Sequence, residues 1–302
     1  MARMAAVSVG SNTIHALIAE VSAGRILEVS RRALLPSLGA AVERSGRIGT
    51  EKRAEAVGYL ADLVDEARRA GCRRVLCGAT AAVRRAADRA EFLAEAEATL
   101  GLPVRLISGA REAQLSFLGA AAAHAHRGPW LLADLGGGST ELVVAEGSVG
   151  RSYQSLELGS AVLAARHLGD PPTPEQRARV RRDALEALRK GPACEPERLV
   201  VTGGTSSTLP RVLSAERPPE VLTRTDLLGL ADLLAAESAV TLAARLDLPE
   251  ARLRSMRAGV EVLLALLEWC GLDVLDVSHQ GIRHGILMAF DQKGDDWWLE
   301  DA

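Results

Sequence analysis

At 302 residues the chain has room for two ordinary domains, and a composition of 48% hydrophobic and 25% charged residues excludes a disordered polymer. A net charge of −3 and only 3% aromatic residues supply neither a global field for a polyanion nor a base-stacking surface, so no nucleic-acid partner is expected and any anion must be held locally. Four cysteines without a CxxC pair, no secretory signal, and an apolar run over 5–21 broken by Gly10, Ser11, Asn12 and His15 point to a cytoplasmic protein with no membrane partner.

In chain order, residues 7–9, 14–21 and 26–35 read as three strands, the first two joined by the polar turn Gly10-Ser11-Asn12-Thr13. Thr50 is the expected N-cap of a helix reaching about residue 70. A strand at 74–77, a helix at 89–100 and a strand at 104–107 follow, and Ser108 caps a helix over 110–123. After Arg127-Gly128-Pro129 the pattern restarts with strand 131–134, a glycine turn and strand 141–145. Helices at 156–168 and 174–190, a strand at 199–201 and further helices to 269 come next. Strand 274–277, a helix near 281–290 and an irregular end at 295–298 complete the reading.

The restart is an internal repeat. Residues 8–14 align with 134–140 without a gap, and the match runs on through Leu17/Val143, Ile18/Val144, Ala19/Ala145 and Glu20/Glu146. A duplicated strand-turn-strand unit predicts two similar α/β domains facing a cleft, over 1–126 and 127–284, with the segment 285–302 packing back on the first.

The strongest chemical signal is the run from Asp134 to Glu141. Gly136, Gly137 and Gly138 let backbone amides approach phosphate oxygens, Ser139 and Thr140 add hydroxyl donors, and Asp134 suits a hydrated divalent metal. A hairpin needs no such triple, whose glycines cost conformational entropy. Gly10, Ser11, Asn12 and Thr13 form the matching turn of the first copy. A third small-residue turn with Gly203, Gly204 and Thr205 reads equally as an ordinary strand-to-helix connection or as an anion loop at a helix N-terminus. Glu112, in the first turn of its helix, is by spacing alone more simply an acid facing the helix dipole than a general base. Arg84 has the reach to brace a phosphoryl group, although arginines on a solvated surface are commoner.

Together these segments resemble the exopolyphosphatase and guanosine pentaphosphate phosphatase family of the actin, Hsp70 and sugar-kinase fold, over about residues 5–288. The marks are GSNT (10–13), ATAAVR (79–84), SGAREAQLSFLGA (108–120), DLGGGSTELV (134–143), LELGS (156–160), GGT (203–205) and GIRHG (281–285). The resemblance implies a two-domain actin-like ATPase fold, ribonuclease H-like in each half, with an interdomain cleft. It makes Glu112 the catalytic base, Asp134 and Glu141 the acidic residues that hold Mg²⁺ or Mn²⁺ in its place, and Arg84 with the glycine loops the phosphate cradle. The implied substrates are inorganic polyphosphate and guanosine pentaphosphate, with short chains preferred because longer relatives carry further C-terminal domains, and the implied assembly is a homodimer. Three positions depart from the family pattern: Ser8 replaces an aspartate, Arg111 an acid before the base, and His284 a glutamate after Arg283. Ser8 is the feature that favours a non-hydrolysing phosphate sensor as the alternative. A sugar kinase is the other, though no second constellation for an acceptor pocket is present.

Overall fold

The computed structural model describes residues 1–124 and 126–300. The opening residues build an antiparallel meander of β1 (Ala2–Val9), buried without a break from Met4 to Val9, β2 (Ile14–Ser22) and β3 (Arg25–Leu34). There follow α1 (Leu38–Ser45), α2 (Thr50–Arg69), β4 (Arg74–Ala79), α3 (Ala81–Arg85), α4 (Arg89–Leu100), β5 (Val104–Leu106) and α5 (Gly109–His124). Strands β4 and β5 extend the sheet in parallel, in the order β3-β2-β1-β4-β5. On one face Val7, Val9 and Ile14 pack with Leu60, Leu63 and Phe92 of α2 and α4. On the other, Met4, Ala6 and Leu17 meet Leu115 of α5.

The second half repeats this plan. Its elements are β6 (His126–Leu135), β7 (Thr140–Gly147), β8 (Val149–Leu156), α6 (Ser160–His167), α7 (Pro174–Leu188), β9 (Arg198–Thr202), α8 (Leu209–Leu213), β10 (Val221–Thr223), α9 (Arg224–Ala235), α10 (Ala239–Leu246), α11 (Glu250–Cys270) and β11 (Val274–Val277). The sheet order is β10-β11-β9-β6-β7-β8, with β6, β7 and β8 antiparallel and β9 parallel to β6. Leu131, Ala133, Leu142, Leu199 and Val201 face a core completed by α7, α9 and α11, which is buried continuously from Ser255 to Leu267. The chain then returns to the first sheet as α12 (Ile282–Lys293) and a 3₁₀ turn, Gly294–Asp296. Two compact units result, Met1–Ala120 with Gln280–Ala302, and Ala121–His279, the first boundary falling within α5. Among the described residues no single helix is long and apolar enough to cross a membrane.

Several expected elements are corrected. Thr50 is the first residue of α2, not its cap; Gly49 precedes it, and the buried Asp88 carboxylate accepts from the amides of Ile48 (2.8 Å) and Gly49 (2.9 Å). The helix expected from residue 156 begins at Ser160, because Leu156 still pairs with Thr140 at the end of β8. That edge strand, half exposed and rich in Gly and Ser, lacks the alternation that would announce it. The short α1, α3 and β10 have too few residues to show a period. The irregular end docks, with Trp297 3% exposed. Residues 301 and 302 of the expected 285–302 segment lie outside the described residues.

Candidate active site

In the first unit the turn after β1 is closed by the Gly10 amide donating to the Thr13 carbonyl (3.0 Å). Ser11, Asn12 and Thr13 are all buried there, and α1 braces the turn, the Gly39 amide donating to the Ser11 carbonyl (2.6 Å). A Cβ on Gly39 would stand 2.8 Å from that of Ser11, so the helix packs directly on the loop. Among the described residues the buried Ser11 hydroxyl has no hydrogen-bond partner. Such an orphan is costly unless something fills it, and a phosphate oxygen supplies the acceptor it lacks.

Arg84 and Glu112, far apart in sequence, come together in the same unit. Thr80, whose hydroxyl donates to the Val9 carbonyl (3.2 Å), ends β4 and starts α3, which carries Arg84. Arg84 Nη1 donates to the Ile107 carbonyl (2.9 Å) and to Glu112 Oε2 (2.5 Å). Its Nε and Nη2 make no hydrogen bond among the described residues. The Glu112 side chain is 10% exposed. Its helix is fixed at both ends. The Ser108 hydroxyl accepts from the Arg111 amide (3.0 Å), as its capping role predicts. Farther along α5, a Cβ on Gly119 would come 2.2 Å from the Gly281 carbonyl oxygen, and one on Gly285 1.8 Å from that of Leu115. Helices α5 and α12 therefore touch backbone to backbone.

The three departures have distinct surroundings. Ser8 pairs across the sheet with His15 and Gly78, and Arg283 Nη1 donates to its hydroxyl at 3.4 Å. Arg111, 1% exposed, gives Nε and Nη2 to the Trp297 carbonyl (3.0 and 2.6 Å) and Nη1 to Gln114 Oε1 (3.0 Å). Burial pushes the His284 imidazole down to about 4. Its contact with Glu28, Nε2 to Oε1 at 2.7 Å, is thus a hydrogen bond from a neutral ring, not an ion pair. The Gly281 amide donating to Nδ1 (3.4 Å) fits the same tautomer. Burial raises the Glu28 carboxyl, but hydrogen bonds from Arg31 and His284 outweigh it and hold the group below its usual value.

The second unit carries the acids. Its turn closes as the first does, Gly136 amide to Ser139 carbonyl at 3.0 Å. Register puts Thr202, Asp134, Glu141 and Ser155 side by side on four adjacent strands, so all four project from the face opposite the apolar core. Asp134 is 9% and Glu141 2% exposed, and the Ser155 hydroxyl donates to Glu141 Oε1 (2.7 Å). Thr140 points to the other face, its hydroxyl committed to the Leu158 carbonyl (2.5 Å). A Cβ on Gly159 would lie 2.3 Å from the Gly137 oxygen and the Gly138 Cα, so the glycine run also permits close packing of the LELGS segment. Ser139 is buried in the same turn.

The third loop is not a helix N-terminus. Helix α8 begins only at Leu209, and the Gly204 carbonyl accepts from the Thr208 hydroxyl (2.7 Å). Gly203 has φ +110°, and a Cβ there would meet the Leu135 oxygen at 2.2 Å and Asp134 Oδ1 at 3.2 Å. Only glycine brings this loop against Asp134. Thr205 is buried against Gly259 of α11. A Cβ on Gly204 would lie 2.2 Å from Nη1 of Arg252, a residue the sequence does not flag because only the approach of α11 brings it here. Burial lowers its pKa.

No cluster of three or more His, Cys, Asp or Glu side chains suited to an ion occurs among the described residues. The pair Asp134 and Glu141 fits a hard cation that keeps most of its water and takes phosphate oxygens, as Mg²⁺ does, and does not fit a fully protein-caged metal.

A model described as the Ppx/GppA phosphatase family matches residues 17–293. Exopolyphosphatase 2 of Mycobacterium tuberculosis is 32% identical over 315 residues, spanning 96% of this chain and 98% of that one. The guanosine-5'-triphosphate,3'-diphosphate pyrophosphatase of Aeromonas hydrophila is 27% identical over 94% of this chain, which spans 58% of its length. The crystal structure of the Aquifex aeolicus Ppx/GppA phosphatase, type II variant, superposes with a TM-score of 0.74 at 27% identity, covering 96% of this chain and 99% of that one.

Proposed function

Because the chain belongs to the Ppx/GppA phosphatase family, we propose that it releases the terminal phosphate of inorganic polyphosphate or guanosine pentaphosphate by attack of water. It has the actin-like ATPase fold and is a phosphoanhydride hydrolase. The observation that carries the reading is the Arg84–Glu112 pair, a nearly buried carboxylate in the first turn of a helix touching a guanidinium with uncommitted donors.

Glu112 accepts a proton from the attacking water as the oxygen–phosphorus bond forms in line with the leaving phosphate. Arg84, through Nε and Nη2, donates to the oxygens of the transferred group, where negative charge spreads. In the first unit the buried Ser11 hydroxyl, and in the second the amides of Gly137 and Gly138, are the donors offered to phosphate oxygens, the Gly10 and Gly136 amides being spent on closing their own turns. Asp134 and Glu141 would hold Mg²⁺ through its water shell, and the bound ion would neutralise phosphate charge. Ser8 contributes a hydroxyl and no charge at the position matching Asp134, so the carboxylates for the ion all come from the second copy.

The test is phosphate release from short polyphosphate, long polyphosphate, guanosine pentaphosphate and ATP, with and without Mg²⁺, by wild type and Glu112→Gln. The expected result is release from a phosphate chain or the pentaphosphate, dependent on Mg²⁺, with turnover at least about a hundredfold lower in the amide variant. Release from none of the four sinks the function, and wild-type turnover in Glu112→Gln removes that residue from it.

A further inference from the structure

At the N-terminal ends of β4 and β5, the ends away from Arg84 and Glu112, the first unit holds a cavity of about 260 Å³ lined by Arg68, Arg73, Arg74 and Arg105 against the single carboxylate Asp295. Arg68 is engaged, donating to the Leu100 carbonyl (2.7 Å) and to Asp65 (3.2 Å). The other three guanidiniums make no hydrogen bond or ion pair among the described residues. Two of them are nonetheless held in place: Arg74 lies over the Phe290 ring at 5.8 Å and Arg105 over the Trp298 ring at 5.1 Å. Stacking orients a guanidinium while leaving its edge donors available for a bidentate anion. In a chain of net charge −3, such a concentration of positive charge around one concavity needs a counterion.

We propose that this cavity is a second anion site, separate from the hydrolytic residues, for a short chain of phosphates. The volume is below that of pockets for drug-sized molecules, so a condensed phosphate of a few units, free or at the end of a nucleotide, is the chemistry it takes. The proposal does not depend on the hydrolytic reading, since none of its residues serves there.

The test is calorimetric titration of the intact protein, without metal, using inorganic tripolyphosphate, GTP and, at matched ionic strength, sulfate. Wild type is expected to bind tripolyphosphate at two classes of site. Arg73→Ser/Arg105→Ser should lose one class, weakened roughly tenfold or more for each guanidinium removed, while Arg84→Ala should weaken only the other. GTP binding that is lost in the same double variant assigns a nucleotide as a source of the phosphates; tripolyphosphate binding alone assigns the inorganic chain. The single variant Arg73→Ser, at an exposed position, gives the same reading if the double variant fails to fold. Unchanged tripolyphosphate binding in the cavity variants, or full displacement by sulfate, overturns the site.

Discussion

At the scale of single residues, His284 makes the sharpest pH-dependent contribution. Unfolded histidine takes up a proton near 6.5, whereas buried His284 refuses it until about 4. The unfolded chain therefore binds more protons across that window, so stability rises with pH within it and falls as the solution is acidified. The contribution is fully present above pH 6.5 and is lost as pH drops through the folded value of about 4. His284→Gln, which keeps a donor for Glu28 but cannot titrate, should show a shallower loss of urea midpoint between those limits than wild type. Equal slopes would mean that His284 is not buried as a neutral ring. The nearby Ser8 has a simpler account, since its hydroxyl accepts from Arg283 in a place where a carboxylate would form an ion pair.

At the scale of elements, the close approach of α5 and α12 sets where Glu112 stands. Gly285→Ala drives a Cβ to 1.8 Å from the Leu115 carbonyl oxygen, and backbone cannot yield as a side chain does. We expect a loss of about 1–3 kcal/mol or more, with turnover falling as α5 shifts. Gly58→Ala in α2 is the counterpart: among the described residues nothing outside its own helix backbone and chain neighbours lies within 4 Å of its Cβ, so a gain of roughly 0.5–1 kcal/mol is expected. Denaturant midpoints of the two variants check both, and destabilisation of equal size in each would contradict the packing. Much at this scale is legible in the sequence. The repeat is readable because the Gly10–Thr13 and Gly136–Ser139 turns close through local hydrogen bonds. The helix expected at 89–100 is α4, with the same bounds. What escapes reading depends on distant partners. Asp88 caps α2 from across the chain, Arg111 closes on the Trp297 carbonyl, and Arg252 reaches the third loop on α11. None of these has a local pattern, and the family pattern, which has an acid at position 111, points away from the second.

At the scale of the whole molecule, the repeat extends beyond its turns. Helices α1 and α6 each follow the third strand of a meander and send amides to the turn's carbonyls, Gly39 to Ser11 and Ala161 to Gly137. The two copies have diverged in chemistry, one carrying the paired Arg84 and Glu112, the other the carboxylates Asp134 and Glu141. They also differ in continuity. The second unit is one uninterrupted stretch, whereas the first is finished only by Gln280–Ala302. Ile286, Leu287 and Ala289 complete a core with Met4, Leu17 and Leu115. During synthesis the second unit can close while the first still shows that apolar face to the solvent and to chaperones. A ribosome-stalled chain in which residue 279 is followed by an unrelated linker long enough to clear the exit tunnel should therefore yield a protease-resistant core from its later half and rapid cleavage within 1–120, with resistance of the earlier half appearing once the last strip emerges. Simultaneous protection of both halves before that point would show that the order of translation does not govern the order of folding here.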